Sequence, residues 1–496
     1  MVKWAASLLA LLCGSGWLLG GMARAEQTQA DVILYNGKIV SVDDHGFTSR
    51  LGTIAQAMHI QNGKILHLGA NSEIRGMGGP DTKQIDLRGR TVIPGFILTH
   101  EHPWDWNPVE PGPVKAALND DTVIVRFLED SPEENIKAFP GVLSEAVKKA
   151  RPGQWIYIVL TYGKHYEYAP WGTGRLGRKG LDPKSFDPVG EGRINKAQLD
   201  ALAPNNPVVV RDVFVSMRAN QKALDESLKV FSEPDVNPPE SSGSGGEGGV
   251  PRFRWMFQSV VMKDYYPQLV ELMRLGMEWW AGYGMTAFSS NVYDPLNIKV
   301  YSELDQKGKL PVRQMWSWNW RVEHFFSDQF FLNTVVNLTG RGSDYFWFGG
   351  GALIQGRGCT QAQIQESSSL AKSREVGLEG YYQARARSCV YTPDSVYSKL
   401  LYDYVKAGGR FVNHHMIGDG DIDNVLTIIQ KASKEAGMTE EEIRAKRHTF
   451  DHSVLFPRPD QVEFFRRMGI ITSGTPFEIY LGSPAAFNLF GEKAVN

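Results

Sequence analysis

The stretch TVIPGFILTHEHPW, residues 91–104, ends an apolar run in two histidines one residue apart. Val92 to Leu98 reads as a buried strand, and in a strand residues i and i+2 share a face. His100 and His102 are therefore expected to point the same way. Two more histidines close strand-like segments: His415 in RFVNHHMIGD (410–419) and His452 in RHTFDHS (447–453). A single histidine of this kind is more often a core residue, but four of eleven at equivalent positions on three strands point to a shared ligand. Neutral imidazole suits a divalent transition ion, zinc above all, and such an ion with an open position activates water at neutral pH. His414 alternates to the face opposite His415 and is the weaker of that pair.

The elements that position these residues follow from the apolar rhythm. Helix-spaced segments such as YPQLVELMRLGMEWWAGYG and PLNIKVYSELDQKG alternate with strand-like runs at 285–290, 310–320, 344–353, 410–419, 447–453 and 469–476. Alternation of this length predicts an α/β fold with a parallel sheet, a TIM-like (β/α) barrel whose ligands gather at the C-terminal ends of the strands. With VIPGFILTH as the first strand, seven strands are visible instead of eight, so the barrel reads as incomplete. Before it, residues 31–94 alternate β-prone runs with Asn-Gly punctuation, which predicts hairpins in a small antiparallel domain.

At these motifs the chain resembles the amidohydrolase superfamily. DLRGRTVIPGFILTHEHP looks like the opening of that barrel, where a small β-sandwich precedes a strand ending in His-x-His. VNHHMIGDGDIDNVL resembles its His-x-x-Gly-Asp strand, and RHTFDHSVLFPRPDQVEFFRRMGIITSGTP the Arg-His-x-x-Glu-His strand of the branch that includes N-substituted formamide deformylase. The resemblance implies a β-sandwich at 31–94, a first barrel strand at 95–103, an inserted subdomain at 104–275 and the remaining metal-binding barrel at 276–496. It makes His100 and His102 first-strand ligands, His415 the fifth-strand ligand and His452 the sixth-strand ligand.

Two departures from the family pattern shape the expected chemistry. Where the fourth strand of this branch often carries a carboxylated Lys that bridges a second metal, DYFWFGGGAL places Phe346, with Gly350 at the following Asp position. Lys263 is the nearest substitute and reads as a solvated lysine. One ion, zinc, is therefore expected. The family's eighth-strand Asp, the general base, has no counterpart before Asn496, so the chain reads as C-terminally shortened. Asp419 is the substitute base in this reading, against a structural role capping a helix; alternation turns Glu101 and Asp451 away from the histidines. The resemblance implies a metal-dependent hydrolase of an amide or other C–N bond. The rival is an exported metal-binding protein with weak or no catalysis, because that Asp is absent.

Residues 1–25 carry Lys3, an apolar run and Ala23-Arg24-Ala25, the pattern of a cleaved signal peptide. The mature chain is expected to be exported, periplasmic or secreted, with no membrane span after removal of the signal. Two cysteines then remain, Cys359 and Cys389, which that compartment permits to pair, though spacing does not decide it. A formal net charge of −2 without any long Lys/Arg run argues against nucleic acid as a partner. The partner is a small molecule. Trp104 and Trp106 behind the His-x-His, Trp318 beside Trp316 and Trp320, and His165 with Tyr162 are the expected pocket residues, favouring an aromatic or apolar amide. Packing against helices is the competing role for the Trp316–Trp320 set.

Overall fold

The computed structural model describes residues 30–44, 50–161, 163–164, 189, 192–212, 217–230, 256–292, 294–319, 329–352, 389–416, 418–453 and 457–474. The signal-like residues 1–25, Tyr162, His165, Trp320 and Cys359 lie outside the described residues.

A compact N-terminal unit ends at Gly95. Its described strands are β1 (Ala30–Tyr35), β2 (Lys38–Val40), β3 (Ile54–Ala55), β4 (Ala57–Gln61), β5 (Lys64–Gly69), β6 (Gly78–Asp86) and β7 (Thr91–Val92). They form two sheets, β5-β4-β1-β6 and β3-β2-β7. The expectation of purely antiparallel pairing is corrected, since β1–β6 and β2–β7 are parallel. The two Asn-Gly pairs part company for a dihedral reason. Asn62 and Gly63 both have positive φ, 50° and 71°, as a type I′ hairpin turn requires, and β4 pairs antiparallel with β5. At Asn36-Gly37 only Asn36 is left-handed, with φ 57°, and the chain passes from the first sheet to the second instead.

In the second unit, β8 (Phe96–Leu98) is followed by a separate four-stranded sheet of β9 (Ile124–Leu128), β10 (Ile156–Leu160), β11 (Val208–Asp212) and β12 (Met217–Ala219), in the order β12-β11-β10-β9. Each residue of β10 and β11 is buried, as expected of parallel strands covered on both faces. Beyond it, strands and helices alternate: α1 (Tyr266–Gly282), β13 (Met285–Val292), α2 (Pro295–Gln306), β14 (Arg313–Asn319), α3 (Gln329–Leu338), β15 (Phe346–Ala352), α4 (Val396–Lys406), β16 (His414–His415), α5 (Asp419–Glu435), β17 (Thr449–Asp451), α6 (Pro459–Met468) and β18 (Ile471–Ser473). Parallel neighbours need a crossover, and the helices supply it. In α1 the buried residues Leu269, Leu272, Met273, Gly276 and Met277 follow the i, i+3, i+4, i+7, i+8 stripe of a helix with one face on a core.

Among the described residues, seven strands outside that separate sheet and the N-terminal unit pair in parallel, as β15-β14-β13-β8 and as β16-β17-β18. Among the described residues the two sheets meet at one backbone bridge, Gly351–Phe411, where Gly351 N–H donates to Arg410 O (3.0 Å) and Val412 N–H donates to Gly351 O (3.2 Å). Gly350 makes that approach possible. Its φ is +146°, and a Cβ there would lie 2.2 Å from Arg410 O. The first strand departs from its buried reading: β8 is three residues long, pairs with β13, and leaves Phe96 57% and Ile97 68% exposed. No helix among the described residues is long and apolar enough to cross a membrane.

Candidate metal centre

Four residues past the start of β8 the chain reaches His100, and it is loop geometry that aims the first two histidines. Glu101 N–H donates to Ser289 O of β13 (2.9 Å), which ties the segment to the neighbouring strand. The two Nε2 atoms of His100 and His102 then face each other at 3.1 Å. His415 comes from the other sheet. In β16, β17 and β18 the cross-strand partners His415, Asp451 and Ser473 are in register, so their side chains share one face. The His415 ring lies 4.4 Å from that of His100 and 6.2 Å from that of His102. His100, His102 and His415 each offer a ligand atom within 4.8 Å of the others. His452 borders this triad, its ring 5.0 Å from His100 and 4.5 Å from His415.

His414 takes the opposite face, as alternation requires. It is fully buried among Phe411, Phe450 and Tyr391, whose hydroxyl lies 2.9 Å from its Nε2, and burial pushes its pKa down to about 3. Glu101 also turns from the histidines: its carboxylate accepts from the backbone N–H of His102 (2.8 Å) and from Trp106 Nε1 (2.6 Å). Burial, partly offset by these bonds, raises its pKa.

Below the rings lies a polar layer that sequence reasoning missed. Ser317 Oγ donates to Asn291 Oδ1 (2.6 Å), and Asn291 Nδ2 donates to Asn413 O (3.1 Å) and lies 3.3 Å from His415 Nε2. Ser289 Oγ donates to Asn413 Oδ1, and the Thr99 and Ser473 hydroxyls touch. All but Thr99 of these side chains are buried. The available signal was a run of buried polar residues among apolar ones: Ser289, Ser290 and Asn291 stand near the end of β13, and Ser317 stands between Trp316 and Trp318 in β14.

Several expected site residues serve elsewhere. The expectation that Asp451 turns away from the site assumes a strand that continues to His452. The strand stops at Asp451, and His452 has φ +75°, so consecutive side chains both reach the site: Asp451 Oδ2 lies 2.8 Å from His100 Nδ1. Asp419, weighed as a base against a role at a helix start, takes the latter: it opens α5 with its carboxylate ion-paired to Arg458 Nη1 at 2.6 Å. Trp104 is 2% exposed and packs against Tyr301 in the core, so it offers no surface to a substrate. Trp318 alternates with Ser317 and stacks edge-on with Trp316, on the face opposite the polar layer. Trp106 stays half-buried beside Glu101. Phe346 packs on Trp316 and Tyr301.

The residues present fit a divalent ion. Three imidazoles are the donor set of a transition metal, and the buried Asp451 carboxylate, which has no aligned hydrogen bond among the described residues, is a charge that a nearby cation would offset.

Comparisons with known proteins point the same way. The model of the Amidohydrolase family matches residues 83–477. N-substituted formamide deformylase of Arthrobacter pascens is 25% identical over 310 residues, 60% of this chain and 49% of that protein. The chain thus spans about half the length of that relative. Two solved structures share the fold: an uncharacterised metal-dependent hydrolase from Pyrococcus furiosus (TM-score 0.54, 17% identity, covering 93% of this chain and 80% of that one) and one from Pyrococcus horikoshii OT3 (TM-score 0.52, 15% identity, 92% and 79%). The matched region holds the whole histidine cluster, and the chain belongs to the amidohydrolase family.

Proposed function

We propose that this chain is an exported hydrolase that cleaves an amide or other carbon–nitrogen bond of a small molecule, using one zinc ion in a barrel made from the two parallel sheets. The convergence of His100, His102 and His415 carries the reading. The ion so held supplies Lewis acidity to a substrate carbonyl and to water. The chain's own residues do the rest: the three histidines and neighbouring His452 define the position, and the layer from Ser317 to Asn413 holds His415 in place. Family membership and the likeness to a deformylase of N-substituted formamides support an N-acyl or N-formyl amine as substrate. Half-buried Trp106 favours an aromatic or apolar one. Phe346, packed among aromatics, offers no bridging group, which supports a single ion. The signal-like residues 1–25 and the engagement of Cys389 in a disulfide support export to an oxidising compartment.

The test is to purify the chain, measure bound metals by elemental analysis, and follow amine release from a panel of N-formyl and N-acyl amines. About one zinc per chain with turnover is the expected result. Two stoichiometric ions would refute the mononuclear site, and failure to hold any divalent ion would refute the metal reading. Metal without turnover on any amide would favour the rival, an exported metal-binding protein.

A further inference from the structure

Behind His100, on the side away from His102, stands a carboxylate to which the proposed reaction assigns no task. Asp451 Oδ2 lies 2.8 Å from His100 Nδ1, and the Asp451 side chain is 1% exposed. The approach is that of an ion pair more than of an aligned hydrogen bond, and neither carboxylate oxygen has a hydrogen-bond partner among the described residues. Register puts Asp451 on the His415 face of its sheet, and the left-handed turn at His452 lets the next residue reach the same cluster. On the other side of the same ring, His100 Nε2 meets His102 Nε2 at 3.1 Å.

We propose that Asp451 is a positioning residue for His100: its carboxylate holds the proton on Nδ1, so that the Nε2 lone pair is the one presented to the ion. The electrostatics favour this tautomer. A negative oxygen 2.8 Å from Nδ1 stabilises an N–H there and repels a lone pair. A ring whose outer nitrogen is held this way is fixed in direction and turns its inner nitrogen to the ion. The link also crosses between the two sheets, because His100 follows β8 and Asp451 ends β17. The inference rests on the metal reading above.

The experiment measures zinc affinity by competition with a chromophoric chelator for the wild-type chain, Asp451→Asn and Asp451→Glu. The expected outcome is a loss of about 10- to 100-fold for Asp451→Asn, the scale of losing an outer partner, with stoichiometry kept and most of the affinity recovered in Asp451→Glu. Cobalt(II) in place of zinc should keep its visible band positions in Asp451→Asn. Shifted bands would make Asp451 a ligand itself and overturn the positioning role, as would an affinity within twofold of wild type. Nitrogen-15 spectra of the wild-type zinc form, with His100 assigned by its loss in His100→Gln, give a readout that needs no folded Asp451 variant. A protonated Nδ1 supports the proposal and a protonated Nε2 overturns it. Failure of the wild type to bind zinc at all would sink the metal reading together with this one, whereas tight wild-type binding with an indifferent Asp451→Asn sinks this one alone.

Discussion

His414 and His415 are neighbours in the chain and face opposite ways. His415 shares a cluster with His100 and His102, while His414 is sealed among aromatic rings. Replacing His415 with Ala should therefore weaken zinc binding by well over about 100-fold, more than the loss of an outer partner costs. His414→Ala should leave binding near wild type but destabilise the fold by about 2–4 kcal/mol through the cavity it opens. Equilibrium dialysis against zinc and urea unfolding separate the two effects. His448 carries a pH prediction. It is fully buried, its Nδ1 accepts the Phe411 N–H (3.1 Å), and burial first, then Arg410 and Lys446, push its pKa from 6.5 down to about 3. Below pH 6.5 the unfolded chain takes up a proton that the folded chain refuses, so this contribution is intact above that pH and is lost as pH falls toward 3. At pH 5 the loss should be about 2 kcal/mol. His448→Asn, which keeps an acceptor near the Nδ1 position, should reduce the dependence by about half in urea titrations between pH 5 and 8, since buried His414 contributes a similar share. An unchanged slope would remove His448 from the account.

At the scale of elements, two glycines should respond with opposite sign. Gly350→Ala places a Cβ 2.2 Å from Arg410 O in a backbone of φ +146°, so it should cost about 2–4 kcal/mol by opening the junction of the two sheets. Gly141 lies inside the helix Pro132–Lys149, where a Cβ would meet nothing within 4 Å, and should gain up to about 1 kcal/mol as Ala. Chemical denaturation of both variants checks the pair. Much of this architecture was legible in the sequence, for reasons that differ by element. The stripe of α1 is long enough for its period to be unambiguous, and alternation sorts the fifth-strand pair His414-His415 correctly. Alternation fails where the strands end: His100 and His102 lie beyond Leu98, and His452 beyond Asp451, which is why Asp451 is misplaced by it. The helix-start role of Asp419 was legible in its Gly-Asp motif, but its partner, Arg458, comes from the next crossover, and only the fold brings the two together. The serine and asparagine layer escapes notice because its members come from separate segments, Thr99 past β8 and Asn413 before β16 among them, that only the fold brings together.

For the molecule as a whole, the site draws on both parallel sheets. His100 and His102 follow β8 of one sheet, and His415 belongs to β16 of the other. A bound ion should stabilise the fold by mass action, by about 4 kcal/mol at a free concentration a thousandfold above Kd. Stripping it with a chelator should lower Tm and speed amide exchange at Gly351 and Val412, the donors that join the sheets. Unchanged exchange at those two amides would mean the ion lends the junction no support. The arrangement also has a kinetic consequence. Ligands carried by His102 and by His415 are far apart in the chain, and closing such a loop is slow and comes late in folding. Neither sheet alone can assemble the triad, so zinc capture during refolding should lag behind the formation of helices and appear only with the slowest step, when the halves dock. An ion captured so late would act as a latch, engaging correctly assembled chains and passing over half-built ones.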